Sequence, residues 1–344
     1  MRTVRHSPSV RRTRGPRLAR TVRPLLVVAA LLGWCASGSA LPRLDPGTLV
    51  RLSTSVLKVE AIRLRGGYSL GSGVVVGADR VATNCHVTRD AREIAVLQGG
   101  RRMPVQSQDV DAYHDLCMLH VPGIDGERAV RFGPPDGLTV GQSVIGVGHT
   151  AGALHSSVGK VLALHRMDGG RVIQSSNYFN SGASGGGLFD GEFRLVGILS
   201  FRLRGGALHY FAVPTEWLAR PLQDEQRLNA EGRPARGPLA FWEQPLDVQP
   251  LFLRAAVLEN EGDWRALQPL AADWTRHDAS DPEPWYLLGL ALARQGVPGE
   301  ARRALECALA ISPDLESARI ELERIAPRPS EPSDAAASPA PCHP

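Results

Sequence analysis

A glycine-rich segment around Ser184 has the composition that a nucleophilic serine requires. The segment runs Gly182-Ala183-Ser184-Gly185-Gly186-Gly187 and leads into an apolar pair typical of a buried strand. A reactive hydroxyl has to sit on a tight turn, beside backbone N–H groups that can stabilise a developing oxyanion. Glycine adopts such turns without a Cβ penalty, and Gly182 and Ser184 would supply the two N–H donors. A glycine- and serine-rich surface turn has the same composition, so this segment alone leaves both interpretations open.

Two residues that precede Ser184 in the chain have the types that activate a serine. His86 follows the apolar run that begins at Val81, and Asp115 begins the apolar run that ends at Val121. A serine nucleophile needs a base to take its proton, and the base needs a carboxylate to orient it. The order His86, Asp115, Ser184 is the order of chymotrypsin-like enzymes, whereas α/β-hydrolases place the serine first.

The residues from about 49 to 213 consist of short apolar runs separated by glycine, proline, aspartate and asparagine. Several runs alternate with a period of two, and none has a long helical period. This pattern predicts an all-β barrel or sandwich, which would position the three candidate residues at strand ends and turns.

The pattern changes after Pro250 to alanine-, leucine-, arginine- and glutamate-rich helices that continue to Ala326. Between Asp281 and Pro313 the order of tryptophan, Leu-Gly, small residues and a terminal proline resembles a tetratricopeptide repeat. Gly262 lies one repeat length before Gly296 and indicates a weaker, earlier unit. An unrelated helical hairpin remains the alternative.

The motifs of the β region together resemble a trypsin-like serine peptidase of the bacterial HtrA/Deg kind. Four segments carry the resemblance: Thr83–Val87, Asp115–Val121, Gly182–Gly186 and Phe211–Pro214. The resemblance covers about residues 50–220. It implies a chymotrypsin-like all-β fold of two packed six-stranded barrels with a cleft between them, followed here by the small helical domain.

The resemblance also implies a role for each site residue. His86 would act as general base and then general acid, Asp115 would orient it, and Ser184 would form the acyl-enzyme. Ser200 falls where the fold often places a hydroxyl beside the aspartate. Tyr178 stands where trypsin-type pockets carry aspartate, so cleavage after lysine or arginine is not favoured. We expect the substrate residue before the cleaved bond to be small or apolar.

This sequence departs from the family pattern in two ways that matter for function. No segment reads as a PDZ domain, and the tetratricopeptide-like helices stand in its place. Cys85 precedes His86 and Cys117 follows Asp115, so contact between the two catalytic residues would bring the cysteines close. A disulfide and a pair of small buried thiols both fit this spacing, and we expect at most one bridge among the five cysteines.

The first 40 residues read as a secretory signal, with a basic start, an apolar run and small residues near Ala40. They hold eight arginines and no acidic residue, so the formal charge of +4 becomes −4 for the remainder of the chain. The basic balance therefore gives no argument for nucleic-acid binding. The apolar run is short for a membrane span, although an uncleaved anchor is not excluded.

The sequence as a whole predicts five parts and one main function. The parts are a signal peptide at 1–40, a peptidase domain at 48–222, a linker at 223–247, helical repeats at 248–326 and a disordered tail at 327–344. The expected function is that of an exported bacterial serine endopeptidase, periplasmic or secreted, whose helices bind a protein partner. We predict no metal and no cofactor, because the remaining histidines lack metal-ligand spacing. The alternative functions are a catalytically idle or latent adaptor, and helices that serve only as a structural appendage.

Overall fold

The computed structural model describes residues 46–134, 136–203, 209–219, 224–227, 239–325 and 342. The expected signal peptide, part of the expected linker and almost all of the expected tail lie outside these residues. The described chain contains fourteen strands and seven α-helices. The strands are β1 (Val56–Arg63), β2 (Tyr68–Gly77), β3 (Arg80–Thr83), β4 (Ala91–Gln98), β5 (Arg101–Pro104), β6 (Ser107–Asp111), β7 (Leu116–His120), β8 (Ser143–Thr150), β9 (Ala153–Met167), β10 (Gly170–Ser175), β11 (Gly187–Phe189), β12 (Leu195–Arg202), β13 (Tyr210–Pro214) and β14 (Asp224–Arg227). The helices are α1 (Pro46–Ser55), α2 (Cys85–Thr88), α3 (Leu251–Glu261), α4 (Trp264–His277), α5 (Pro282–Arg294), α6 (Pro298–Ile311) and α7 (Glu316–Arg324).

The strands form two antiparallel sheets, which confirms the predicted chymotrypsin-like all-β class. Strands β8 to β13 make a closed six-stranded barrel in the order β10-β13-β12-β11-β8-β9. The other sheet has eight strands in the order β14-β6-β7-β3-β2-β1-β4-β5, rather than the expected six. The segment between β5 and β6 joins β4 to β7 within this sheet. Val105 N–H donates to Ile94 O of β4, and Gln106 N–H donates to His120 O of β7, both at 2.9 Å.

Each sheet encloses its own apolar core, as alternation within the strands requires. In β1 the side chains of Leu57, Val59 and Ala61 are buried on one face, and they pack against Val96 of β4 and Val81 of β3. Short strands that bury alternate residues in this way position the turns between them, because a register slip would move every apolar residue to the other face. The turns after β3, before β7 and before β11 carry the three candidate residues.

The helical region that follows the barrel begins and ends its helices by ordinary capping chemistry. Gly262 ends α3 in the left-handed conformation, with φ of 69°. Asp263 caps α4 by accepting from Ala266 N–H, and Asp281 caps α5 by accepting from Glu283 N–H. At Gly289 an added Cβ would lie 2.6 Å from Leu305, so a glycine is needed for α5 and α6 to pack this closely. The predicted helical region is therefore confirmed.

One apolar core continues from the closed barrel into the helical region. The shared cluster includes Phe211 of β13, Phe241, Phe252 of α3, and Trp274 of α4. Residues 239–248, which the sequence assigns mostly to a linker, pack into this junction as two short 3-10 helices, Phe241–Glu243 and Leu246–Val248. The barrel and the helices are thus joined by buried aromatic side chains as well as by the chain itself.

Two disulfides are present among the described residues, where at most one was expected from the sequence. Cys85 and Cys117 are bridged across α2 and β7, with their Cα atoms 5.0 Å apart. Cys307 of α6 is bridged to Cys342. The second bridge joins residues separated by 35 positions, and spacing of that kind does not reveal connectivity in a sequence.

Candidate active site

His86 is held on α2, a single helical turn that directly follows β3. Its ring Nδ1 lies 2.7 Å from Asp115 Oδ2, and its backbone N–H donates to Asp115 Oδ1 at 2.9 Å. The carboxylate therefore binds both the ring and the backbone of the same residue. Because a carboxylate oxygen accepts, the ring proton lies on Nδ1 and Nε2 is left as the acceptor. The disulfide of the preceding Cys85 ties this turn to β7.

Asp115 is a buried carboxylate in an unusual backbone conformation. Its φ is 58°, which is uncommon for a residue other than glycine, and aspartate tolerates it better than most. Its backbone carbonyl accepts from Asn84 Nδ2 at 2.9 Å and from Cys85 N–H at 3.3 Å. Ser200 Oγ donates to the carboxylate Oδ2 at 2.6 Å. These bonds compensate for the burial of the charge and fix the direction in which the carboxylate points.

Ser184 sits on a turn that only glycines permit. Gly182 and Gly185 have φ of 97° and 86°, and an added Cβ at Gly185 would lie 2.0 Å from Ser72 O. Ser72 of β2 anchors the turn, since its N–H donates to Ser184 O and its hydroxyl donates to Gly182 O, both at 2.8 Å. The sequence analysis did not identify Ser72, because a serine within a strand carries no distinctive signal.

The hydroxyl of Ser184 points to a backbone carbonyl in this structure. Ser184 Oγ donates to Ser200 O at 2.9 Å. Among the described residues no hydrogen bond joins this hydroxyl to the His86 ring. The structure thus brings His86, Asp115 and Ser200 into one hydrogen-bonded group, and places Ser184 against the same residue, Ser200, through its carbonyl.

The two expected oxyanion donors flank Ala183 on the same turn. The neighbouring N–H groups are engaged: Ala183 N–H donates to Asn180 O, and Gly185 N–H donates to Leu199 O. No acceptor within the described part of the chain takes the N–H of Gly182 or of Ser184. Two N–H groups on one turn, both without a protein acceptor, are the arrangement that an oxyanion could occupy.

An aromatic residue from beyond the barrel completes the group around Asp115. Trp242 Nε1 donates to Asp115 Oδ2 at 3.3 Å, and its ring meets His86 edge-on at a centroid distance of 5.4 Å. Glu243 beside it forms a two-pronged ion pair with Arg89, which follows α2. The sequence analysis missed this segment, because it lies in a stretch rich in proline and charge that has no period.

His114, the neighbour of Asp115, is engaged elsewhere. Its Nδ1 lies 2.7 Å from Asp111 Oδ2, and its Nε2 lies 3.1 Å from Asp168 Oδ2. Burial alone would lower the pKa of His114, but the bonds to the two carboxylates outweigh it and raise the pKa. His114 therefore links the β6–β7 turn to the β9–β10 turn rather than contacting Ser184.

Two cavities flank the serine turn. One, of about 290 Å³, is lined by Tyr178, Asn180, Ala183, Leu199 and residues of β8 and β9. The other, of about 390 Å³, is lined by Leu70, Gly182 and others from β1, β2 and the β8–β9 turn. Because the turn separates them, an extended chain could place residues on both sides of Ser184.

No set of three or more histidine, cysteine, aspartate or glutamate side chains could hold a metal ion within the described ranges. In the same ranges, no helix is both long enough and apolar enough to cross a membrane.

Comparisons with known proteins were made for the sequence and for the fold. The family model described as "Trypsin-like peptidase domain" matches residues 71–198. A probable periplasmic serine endoprotease DegP-like of Ectopseudomonas mendocina is 35% identical over 189 residues, which covers 51% of this chain and 38% of that protein. A protein of the same description from Halomonas elongata is 34% identical over 188 residues, covering 52% and 39%. This chain thus spans less than half the length of those curated relatives.

Among solved structures, a serine endoprotease from Yersinia pestis is similar at 25% identity and a TM-score of 0.45, covering 49% of this chain and 62% of that one. The family match covers the turns of His86, Asp115 and Ser184. Residues 71–198 therefore match the description of a trypsin-like peptidase domain, and the chain is similar in sequence to DegP-like serine endoproteases.

Proposed function

We propose that the chain is an exported serine endopeptidase that hydrolyses peptide bonds through His86, Asp115 and Ser184. The observation that carries this proposal is the hydrogen bond of 2.7 Å between His86 Nδ1 and the buried Asp115 Oδ2. That bond leaves Nε2 as the acceptor for a serine proton, and it places a negative charge where an imidazolium would form.

The proposed reaction begins with a rotation of the Ser184 hydroxyl away from Ser200 O. His86 Nε2 then accepts the hydroxyl proton while Oγ attacks the substrate carbonyl carbon, and Asp115 stabilises the imidazolium. The oxyanion would be bound by the N–H groups of Gly182 and Ser184. Loss of one such donor typically costs about 10²–10³-fold in rate. His86 passes its proton to the leaving amine. In the second half of the reaction His86 takes a proton from a water molecule, whose oxygen attacks the acyl carbon, and returns a proton to Ser184 Oγ as the acyl group is released.

The second candidate function is a latent or idle protease-like adaptor. One specific observation favours it: Ser184 Oγ is bonded to Ser200 O and not to the His86 ring. A hydroxyl held in this way is not poised to lose its proton to the base. A latent enzyme would need a bound substrate or partner to release the hydroxyl, whereas an idle adaptor would never release it.

We propose a periplasmic location and a peptide or protein substrate. The relatives are named as periplasmic, and the two disulfides suit an oxidising compartment. Tyr178 and Asn180 line the cavity beside the turn, and Asn180 Nδ2 donates to the Tyr178 hydroxyl at 2.7 Å. Neither side chain is acidic. This supports cleavage after a residue other than lysine or arginine. The helical region would bind a protein partner.

A fluorophosphonate probe distinguishes the two candidates, because it reacts with an activated serine regardless of substrate preference. The purified protein and its Ser184→Ala variant are treated side by side, with a His86→Ala variant as a second control. Labelling of the parent alone supports the endopeptidase and justifies a substrate search with peptide libraries. An unlabelled parent that is folded by circular dichroism contradicts the endopeptidase as an autonomous enzyme. The helical region would then be used to capture partners.

A further inference from the structure

Residues Leu239–Gln249, here called the strap, connect the peptidase region to α3 and cover the Asp115 side of the site. The sequence assigns most of the strap to a linker. In the structure Phe241 is fully buried and its N–H donates to Tyr113 O at 2.8 Å. The strap is therefore a packed part of the molecule whose position next to Asp115 can be argued from its contacts.

Trp242 of the strap makes two contacts with the proposed triad and a third with Phe201. Its indole N–H donates to Asp115 Oδ2, the same oxygen that binds His86 Nδ1 and Ser200 Oγ. Its ring lies perpendicular to the His86 ring, at an angle of 89°. On its other side the indole stacks on Phe201 of β12, with centroids 4.9 Å apart and ring planes inclined by 11°.

The strap is fixed before and after Trp242, so the indole is not free to leave. Before it, Phe241 donates its N–H to Tyr113 O. After it, Glu243 pairs with Arg89, and a two-pronged pair of this kind restricts the direction of both side chains. Within the strap, Gln249 Nε2 donates to Trp242 O at 3.1 Å and to Gln244 O at 2.7 Å. Gln249 lies two residues before the first residue of α3. Phe241 of the strap packs against Phe252 of α3, with ring centroids 6.4 Å apart, so the helical region supports the strap that holds the indole.

We propose that Trp242 is a positioning residue for the triad, and that the helical region thereby contributes to the catalytic centre; this rests on the proposed function. The indole N–H shares the charge of Asp115 Oδ2, which keeps the carboxylate aligned with His86 Nδ1. The perpendicular indole limits the rotation of the imidazole and keeps water from that side of the Asp115–His86 bond. A protease domain without the strap would lack both effects.

The test uses the full-length protein with Trp242→Phe, which keeps a ring on Phe201 and beside His86 but removes the N–H donor. Trp264→Phe is the matched control: Trp264 begins α4 and lies under the Arg294 guanidinium, 5.7 Å from it. Two quantities are measured. One is the limiting rate and half-saturating concentration for phosphonylation of Ser184 by the fluorophosphonate, in which Oγ bonds to phosphorus and fluoride leaves. The other is the downfield proton NMR resonance of His86 Nδ1–H, which reports on the bond to Asp115 whether or not the serine reacts.

In Trp242→Phe we expect the resonance to shift and broaden and the limiting phosphonylation rate to fall about tenfold, with the half-saturating concentration unchanged. Trp264→Phe should change neither. An unmoved resonance in Trp242→Phe overturns the proposal even if the rate falls, because the loss would then be structural. A moved resonance with an unchanged rate also overturns it.

The test remains decisive if the parent itself fails to react. In that case the proposed function fails, and the resonance alone decides whether Trp242 positions the His86–Asp115 pair. Trp242→Leu serves as the second variant if Trp242→Phe does not fold, and the same resonance is compared with that of the Trp264→Phe control.

Discussion

His165 of β9 is a histidine buried between the barrel and the helical region, and it makes stability depend on pH. Its side chain is 3% exposed, and its ring stacks on Phe252 of α3 with centroids 4.3 Å apart and planes inclined by 9°. Nε2 is bonded to Gln174 Oε1 at 2.9 Å, whereas Nδ1 has no partner in the described structure. Burial lowers the pKa of His165 from 6.5 to about 4.

The sign and size of the effect follow from this lowered pKa. Above pH 6.5 the histidine is neutral in both the folded and the unfolded protein, so its titration does not affect stability. Between pH 6.5 and pH 4 the unfolded chain binds a proton that the folded protein does not. The free energy of unfolding therefore falls as the pH is lowered, by about 2 kcal/mol at pH 5 and about 3 kcal/mol at pH 4.

The perturbation is His165→Phe, which keeps an aromatic ring against Phe252 but cannot titrate. At pH 7.5 the free energy of unfolding of the variant should lie within about 1 kcal/mol of that of the parent, because the loss of one hydrogen bond lowers it and the removal of an unpaired buried nitrogen raises it. Urea unfolding is followed by tryptophan fluorescence and circular dichroism at pH 7.5, 6.0 and 5.0. The stability of the variant relative to the parent should rise by about 2 kcal/mol between the first and last pH.

His277→Gln is the control for this experiment, since it removes an exposed histidine near the end of α4 instead of a buried one. His209 is present in parent and variant, so its own titration, with a pKa lowered by burial, contributes to both stability curves. Parallel stability curves for the parent and His165→Phe would refute the reasoning. They would mean that water or a rearrangement reaches the imidazole before unfolding.

Three further outcomes follow from the geometry of the site. Replacing Cys85 and Cys117 by alanine opens a loop of 32 residues and should lower the free energy of unfolding by about 3.5 kcal/mol, measured as the shift of the urea midpoint; the check is an equal shift when reductant is added to a protein in which Cys307 and Cys342 are already replaced by alanine. Gly185→Ala should abolish fluorophosphonate labelling and lower stability by at least about 3 kcal/mol, whereas Gly191→Ala, whose Cβ would meet nothing within 4 Å, should do neither. Asp115→Asn should fold normally yet lower the labelling rate on the order of 10⁴-fold, since an amide no longer holds the required tautomer of the histidine, and retention of the rate would contradict the proposed role.

The sequence predicts the antiparallel class of the two sheets well and the number of strands in one of them poorly. Short alternating runs indicate antiparallel strands, and β8 to β13 form the expected closed barrel of six. The eight-stranded sheet includes β14, whose sequence Asp-Glu-Gln-Arg has none of the β-branched or aromatic residues that mark a strand. Its pairing with β6 is decided by backbone hydrogen bonding at a sheet edge, which a residue pattern does not encode.

The candidate site also has some features that nearby residues in the chain encode and others that depend on residues far away in the chain. The turns of His86 and Ser184 are local, so their glycine and strand signals appear in the sequence. The donors to Asp115 come from residues 85 and 127 positions away, Ser200 and Trp242. Ser200 was found through the family resemblance. Trp242 has no counterpart in that resemblance, and its neighbours suggest a linker, so only the structure reveals it.

The buried contacts explain why the helical region cannot be treated as a detachable module. Phe252 of α3 covers His165 of the barrel, and Trp242 of the strap covers His86 at the proposed triad. Both aromatic residues belong to the segment between residues 239 and 261. Phe252 stacks on His165, and Trp242 stacks on Phe201. A flexible linker would allow the helices to move without affecting either histidine. Here a displacement of α3 would expose His165 to water and pull on the indole at Asp115, so a partner that moves the helices would alter stability and the triad together.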